Sequence, residues 1–171
     1  MKTKIIFLYL FLVLFSCRER NRHRVVLENN KTEIQNIFFT IKKFVDGDTF
    51  WINDGSKKGL KIRLIGVDTP ESQARFGNPE DYYGDEASAF TKSILINKKV
   101  RLEFDADRTD SFGRTLAYVY TEDGIFLNKK LVNEGYAMVM TVPPNIKYAD
   151  IFFELQKKAR DENLGLWNRD K

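Results

Sequence analysis

The stretch from Ile62 to Glu71 limits most strongly what this chain can fold into. Its first half, IRLIGV, has the apolar pattern of a half-buried strand. Pro70 cannot donate to a sheet and biases Thr69 away from the helical region, so the chain must leave the sheet there. Three charged residues therefore gather near one strand end, namely Arg63, Asp68 and Glu71. Taken alone, this sequence also suits an ordinary turn and helix start. The other motifs of the chain must therefore decide whether its charged residues are functional.

Residues 1–16 are predicted to be a signal peptide of the lipoprotein type. Lys2 and Lys4 precede an apolar run, from Ile5 to Phe15, that is shorter than the ~20 residues of a membrane-spanning helix. The run leads to Cys17, the only cysteine, in a sequence that looks like a bacterial lipobox. We therefore expect lipid attachment at Cys17 and an extracytoplasmic, membrane-anchored protein. The alternative is a plain signal peptide and a secreted protein with a free thiol.

Residues 17–35 are polar and charged, and we interpret them as a flexible tether. The only histidine, His23, lies in this segment, so we expect none in the folded body. This excludes hydrolases and nucleases that depend on histidine, and zinc enzymes with histidine ligands. Without the signal peptide the chain has 26 basic and 24 acidic residues. A binding site for a polyanion must then come from local placement of charge rather than from net charge.

Residues 36–171 are predicted to form one α+β domain, a five-stranded OB-fold barrel with about three α-helices. Asp46-Gly47 between apolar runs predicts a hairpin, and a third strand is expected from Leu60 to Val67. Residues 72–82 are expected to be a loop. The remaining pattern predicts strands over 100–104 and 116–120 and helices beginning near residues 83, 125 and 148.

The charged residues at the strand ends include the groups that phosphodiester hydrolysis requires. Two carboxylates and a carbonyl are hard oxygen ligands suited to Ca²⁺ or Mg²⁺. Two arginines can bind a phosphate through paired N–H donors, and a further carboxylate can accept a proton from an attacking water.

Five motifs in this chain resemble those of the staphylococcal nuclease (thermonuclease) family, in the family's order and near its spacings. They cover about residues 39 to 168 and are Val45–Thr49, Arg63–Glu71, Tyr83–Lys92, Arg108–Arg114 and Leu164–Trp167. The resemblance implies an OB-fold, calcium-dependent nuclease that hydrolyses DNA and RNA to 3′-phosphorylated products. It implies no protein partner, and we expect a monomer.

The resemblance also implies a role for each matching residue. Asp48 and Asp68 would bind calcium through their side chains, and Thr69 would do so through its backbone carbonyl. Arg63 and Arg114 would hold the scissile phosphate, and Glu71 would be the general base. The competing interpretation is a non-catalytic OB module that binds nucleic acid, but the presence of all these groups together favours an enzyme.

This chain departs from the family around the nucleotide. Ser111 and Phe112 stand where the family has a lysine and a tyrosine, and residues 140–144 replace tyrosines beside the nucleotide pocket. Because Thr141 and Pro143 offer no aromatic ring, we expect weaker nucleotide binding with the chemistry retained.

Overall fold

The order of strands and helices follows the predicted pattern closely. The computed structural model describes residues 37–71 and 83–168, so the predicted signal peptide (1–16), tether (17–35), Cys17 and loop (72–82) lie outside the described residues. The strands are β1 (Phe38–Phe44), β2 (Thr49–Asn53), β3 (Leu60–Leu64), β4 (Gly66–Asp68), β5 (Lys99–Glu103), β6 (Thr115–Thr121) and β7 (Met138–Met140). The helices are α1 (Gly84–Leu95), α2 (Leu127–Asn133) and α3 (Ala149–Asp161), and a 3₁₀ turn follows at Gly165–Trp167.

Five strands close into a barrel in the order β1-β2-β3-β6-β5. Neighbours are antiparallel except for β3 and β6, which run parallel, with Ile62 opposite Thr115 and Arg63 opposite Leu116. Alternate residues point inward, so Phe50 and Ile52 of β2 are fully buried in the core. The predicted five-stranded barrel with three helices is thus confirmed. In the described part of the chain, no helix has both the length and the apolar composition needed to cross a bilayer.

The single strand predicted from Leu60 to Val67 is wrong, because the chain breaks it at Gly66. Gly66 has a φ of +77°, and the residues after it leave the barrel and pair with β7. A Cβ at Gly66 would lie 2.8 Å from the ring of Phe152 on α3, so glycine also allows the helix to pack closely. This break turns Asp68 away from the barrel wall and towards its rim.

A buried side chain from α2 stabilises the break. Asn128 is fully buried; its amide nitrogen donates to the carbonyl of Ile65 at 2.8 Å, and its amide oxygen accepts from the N–H of Val119 at 3.0 Å. The backbone groups freed where the strand ends are therefore satisfied, as buried polar groups must be.

We predict that Gly66→Ala destabilises the protein more than Gly124→Ala, a matched control. Gly124 also has a positive φ, of +89°, but a Cβ there would meet no atom within 4 Å. The control should lose about 1 kcal/mol from backbone strain, and Gly66→Ala about 1–3 kcal/mol more, because its methyl group overlaps Phe152. Urea unfolding would measure both values, and equal losses would show that the ring moves aside freely.

Candidate active site

The turn between β1 and β2 places Asp48 at the rim of the barrel. The N–H groups of Val45 and Asp46 both donate to the carbonyl of Thr49 at 3.1 Å, which closes the turn. A Cβ at Gly47 would lie 2.8 Å from the Thr69 hydroxyl oxygen, so the turn and the segment after β4 can approach closely only with glycine there. Asp48 is consequently buried, with 4% of its surface exposed.

Arg63 joins the two carboxylates that the sequence predicts as metal ligands. Its Nη1 forms an ion pair with Oδ2 of Asp48, and its Nη2 lies 2.5 Å from Oδ1 of Asp68. Nη1 also donates to the carbonyl of Val67 at 3.0 Å. The side chain is only 11% exposed, so these contacts fix the orientation of its planar guanidinium.

The carboxyl of Asp48 is in an environment that disfavours its charge. Burial raises the pKa of Asp48 from its ordinary value of 3.8 to about 6, and the negative charge of Asp46 acts in the same direction. The guanidinium of Arg63 and the N–H of Thr69, which donates to Asp48 at 2.9 Å, lower the pKa but do not cancel the effect of burial. Burial therefore outweighs the guanidinium of Arg63 in its effect on the pKa of Asp48.

The residues around Asp48 fit a divalent cation with oxygen ligands. The hydroxyl of Thr69 is buried and has no hydrogen-bond partner among the described residues. Asp68 is partly exposed, and only its Oδ1 is occupied by the described hydrogen bonds. Within residues 37–71 and 83–168, no three or more His, Cys, Asp or Glu side chains form a metal-binding cluster. Asp48, Asp68 and the carbonyl of Thr69 would thus be the protein's share, with water completing a shell of 6–8 oxygens.

A tight turn before β6 positions Arg114. Oδ1 of Asp110 accepts from the backbone N–H groups of Phe112 and Arg114, both at 2.9 Å, and its Oδ2 lies 2.5 Å from Nε of Arg114. The sequence alone assigns no role to Asp110. The Asp-x-x-Gly sequence of a turn was the available signal, since aspartate at the first position of a turn bonds to the backbone after it.

The two arginines line one cavity of about 340 Å³. Its wall also contains Ser111, Met140 and Val142. Of residues 140–144, Met140, Val142, Pro143 and Pro144 line this cavity, and none of them has an aromatic ring. Phe112 lies outside the cavity and is 82% exposed, with its ring 5.3 Å from the guanidinium carbon of Arg114.

The structure does not bring the side chain of Glu71 into contact with Arg63, Asp48 or Asp68. Its side chain is exposed and forms no ion pair with another described residue. It follows Asp68 by three positions, beyond the Pro70 turn, and its role as a base stays a prediction.

The chain is similar in sequence to known nucleases. Residues 61–169 match the family described as staphylococcal nuclease homologue. The chain is 42% identical over 143 residues to a thermonuclease from Staphylococcus intermedius, covering 83% of each chain. It is 42% identical over 130 residues to a thermonuclease from Staphylococcus hyicus, covering 76% of this chain and 75% of the relative. It is also 37% identical over 142 residues to endonuclease YncB from Bacillus subtilis (strain 168), covering 82% of this chain and 65% of the relative.

We predict that Asp48→Asn stabilises the protein when divalent cations are removed by a chelator. Because the pKa of Asp48 is higher in the folded than in the unfolded state, its ionisation weakens the fold as the pH rises from about 4 through 6. The asparagine variant escapes this loss, so its free energy of unfolding should exceed that of the wild type by about 1–3 kcal/mol at pH 7.5. The difference should shrink towards pH 4.

Asp54→Asn is the matched control, because Asp54 is an exposed carboxylate in the turn between β2 and β3. It should change stability little at pH 7.5. An Asp48→Asn variant less stable than the wild type at this pH would show that the Arg63 ion pair outweighs the effect of burial.

Proposed function

Because the chain belongs to the staphylococcal nuclease family and is therefore a nuclease, we propose that it uses calcium to hydrolyse DNA and RNA to products with 3′-phosphate ends. The main support is that Arg63 contacts Asp48 and Asp68 at the edge of a cavity that Arg114 also lines. Two guanidinium groups and two carboxylates at one place suit a phosphodiester and a cation together.

The arginines hold the scissile phosphate and stabilise the charge that develops on it. Arg63 is oriented by its two carboxylates and the carbonyl of Val67, and Arg114 by Asp110. Donors that are fixed before the substrate arrives need no reorganisation in the transition state, which is the condition for effective electrostatic catalysis. Asp110 is thus a positioning residue for Arg114.

The remaining steps concern the metal and the proton. Asp48, Asp68 and the backbone carbonyl of Thr69 would hold the calcium ion, which would supply Lewis-acid chemistry at the phosphate. Glu71 accepts a proton from the attacking water, whose oxygen forms a new bond to phosphorus. The bond from phosphorus to the 5′-oxygen then breaks, and this oxygen takes a proton from solvent. The products are a 3′-phosphate and a 5′-hydroxyl.

We also propose that the enzyme acts outside the cytoplasm, held to a membrane by a lipid on Cys17. The support is the sequence alone: a basic start, a short apolar run that ends at Phe15, and Cys17 two positions later. The apolar run from Ile5 to Phe15 is shorter than the ~17 residues of the shortest spanning helices, so a lipid is the anchor that this segment can provide.

We predict that hydrolysis of single-stranded DNA and RNA requires calcium. Purified protein should cleave both polymers with calcium and lose this activity in excess chelator, and phosphatase treatment should release phosphate from the 3′ ends of the products. Asp68→Ala should lose most activity, whereas Asp123→Ala, which removes an exposed carboxylate paired with Lys98, should not. Full activity in excess chelator would overturn the proposed requirement for calcium. Binding of nucleic acid without cleavage under any condition would favour the alternative of a non-catalytic OB module that binds nucleic acid.

We predict that Arg63→Lys and Arg114→Lys each lower kcat about 10²–10³-fold, the scale of losing one preorganised donor to a transition state. Lysine keeps the charge but cannot present two parallel N–H donors to a phosphate. Arg160→Lys is the control, because Arg160 lies over the ring of Trp167 near the C-terminal end of α3. Steady-state kinetics on one oligonucleotide would measure all three, and near-normal kcat in both site variants would remove the arginines from the mechanism.

A further inference from the structure

A tryptophan lies on the outer face of the barrel, next to the proposed active site. Phe50 and Ile52 point into the core, so Trp51 between them points outward, where it is partly exposed. In the sheet, Trp51 lies between two lysines, because it pairs with Lys43 of β1 on one side and Lys61 of β3 on the other. Side chains paired in this way share a face, so the three form one row across three strands.

This row is adjacent to Arg63. Thr49 pairs with Arg63, and Trp51 pairs with Lys61. Because the two pairs are two residues apart along each strand, Trp51 and Lys61 lie on the same face of the sheet as Arg63. Two residues of a strand span about 7 Å. A nucleic acid strand bound at Arg63 therefore needs to extend by little more than one nucleotide to reach Trp51.

The surroundings of Trp51 are strongly basic. The ammonium of Lys58 lies 5.6 Å from the centre of the indole ring. Lys43, Lys58 and Lys61 form no ion pair with another residue in the described ranges. The carboxylate of the nearby turn, Asp54, is bonded instead to the backbone and hydroxyl of Ser56. Unpaired lysines beside a partly exposed aromatic ring are the combination used to bind single-stranded nucleic acid, where bases stack on the ring and cations contact the phosphates.

We propose that Trp51, with Lys43, Lys58 and Lys61, is a stacking subsite for a base of single-stranded nucleic acid beyond the scissile phosphate. The proposal rests on the proposed function, since the strand must enter from Arg63. Lys58 belongs to an exposed turn, so its side chain can leave the ring and contact a phosphate when a base takes its place. A duplex, whose bases are already stacked, would use only the lysines.

Fluorescence tests this subsite without catalysis. The chain has two tryptophans, and Trp167 packs under Arg160 at the C-terminal end, so Trp167→Phe leaves Trp51 as the only indole. In chelator, with the oligonucleotide shown to stay intact, a 16-residue oligothymidylate should quench the emission of this variant in a saturable way, and the dinucleotide TpT should quench it far less. Unchanged emission at saturation of binding, measured by anisotropy of a labelled 16-mer, would overturn the proposal.

Substitutions at Trp51 give a second measurement. Trp51→Ala should weaken binding of the 16-mer about 5- to 100-fold, the range of one lost stacking contact. Trp51→Phe keeps an aromatic ring and should therefore lose less of the affinity than Trp51→Ala. Lys61→Gln should reduce the slope of log affinity against log salt concentration by about one, because one fewer ion is released on binding. Lys157→Gln, at an exposed position of α3, should leave this slope unchanged. Urea unfolding of each variant separates these effects from a loss of folding.

The outcomes also distinguish this proposal from the proposed function. Wild type that binds the 16-mer with Trp51 quenched but cleaves nothing would contradict the nuclease mechanism and leave the subsite supported. If the wild type cleaves normally, and Trp51→Ala and Trp51→Phe both bind the 16-mer as tightly as the wild type does, the subsite is overturned and the nuclease function stands.

Discussion

The contact of Arg63 with Asp48 and Asp68 is the interaction on which the site depends. It connects the turn after β1, the middle of the barrel wall at β3 and the end of β4. A charge buried at Asp48 would be costly without a partner, and a buried arginine equally so. Each group therefore constrains the other, and the same guanidinium that compensates the carboxylates is held in place to receive a phosphate.

The sequence predicted the barrel well because its strands follow simple alternation. Strand β5 alternates strictly, and the turn at Asp46-Gly47 joins β1 to β2 where expected. The break at Gly66 was not foreseen, because it depends on a contact with Phe152, 86 positions later in the chain. Strand β7 was also missed: it is three residues long and is defined only by pairing with β4, which no local pattern reveals.

In the candidate site, too, some features were predictable from the sequence and others depend on contacts between distant residues. The resemblance to the family selected Arg63, Asp48 and Asp68, and the structure brings these three into contact. Which side chains line the cavity was not predictable from the sequence, since it depends on the face that β7 presents to it, as the lining by Met140 shows. Asn128 was missed because a single polar residue in a helix gives no sign of a buried partner so distant in sequence.

The parallel pairing of β3 with β6 has a consequence for the chain before it folds. Arg63 and Arg114 are 51 positions apart, and they reach one cavity only when this pairing has closed the barrel. A shift of one residue in its register would turn one arginine to the opposite face. An unfolded or partly closed chain therefore lacks this cavity and cannot hold a phosphate between the two arginines.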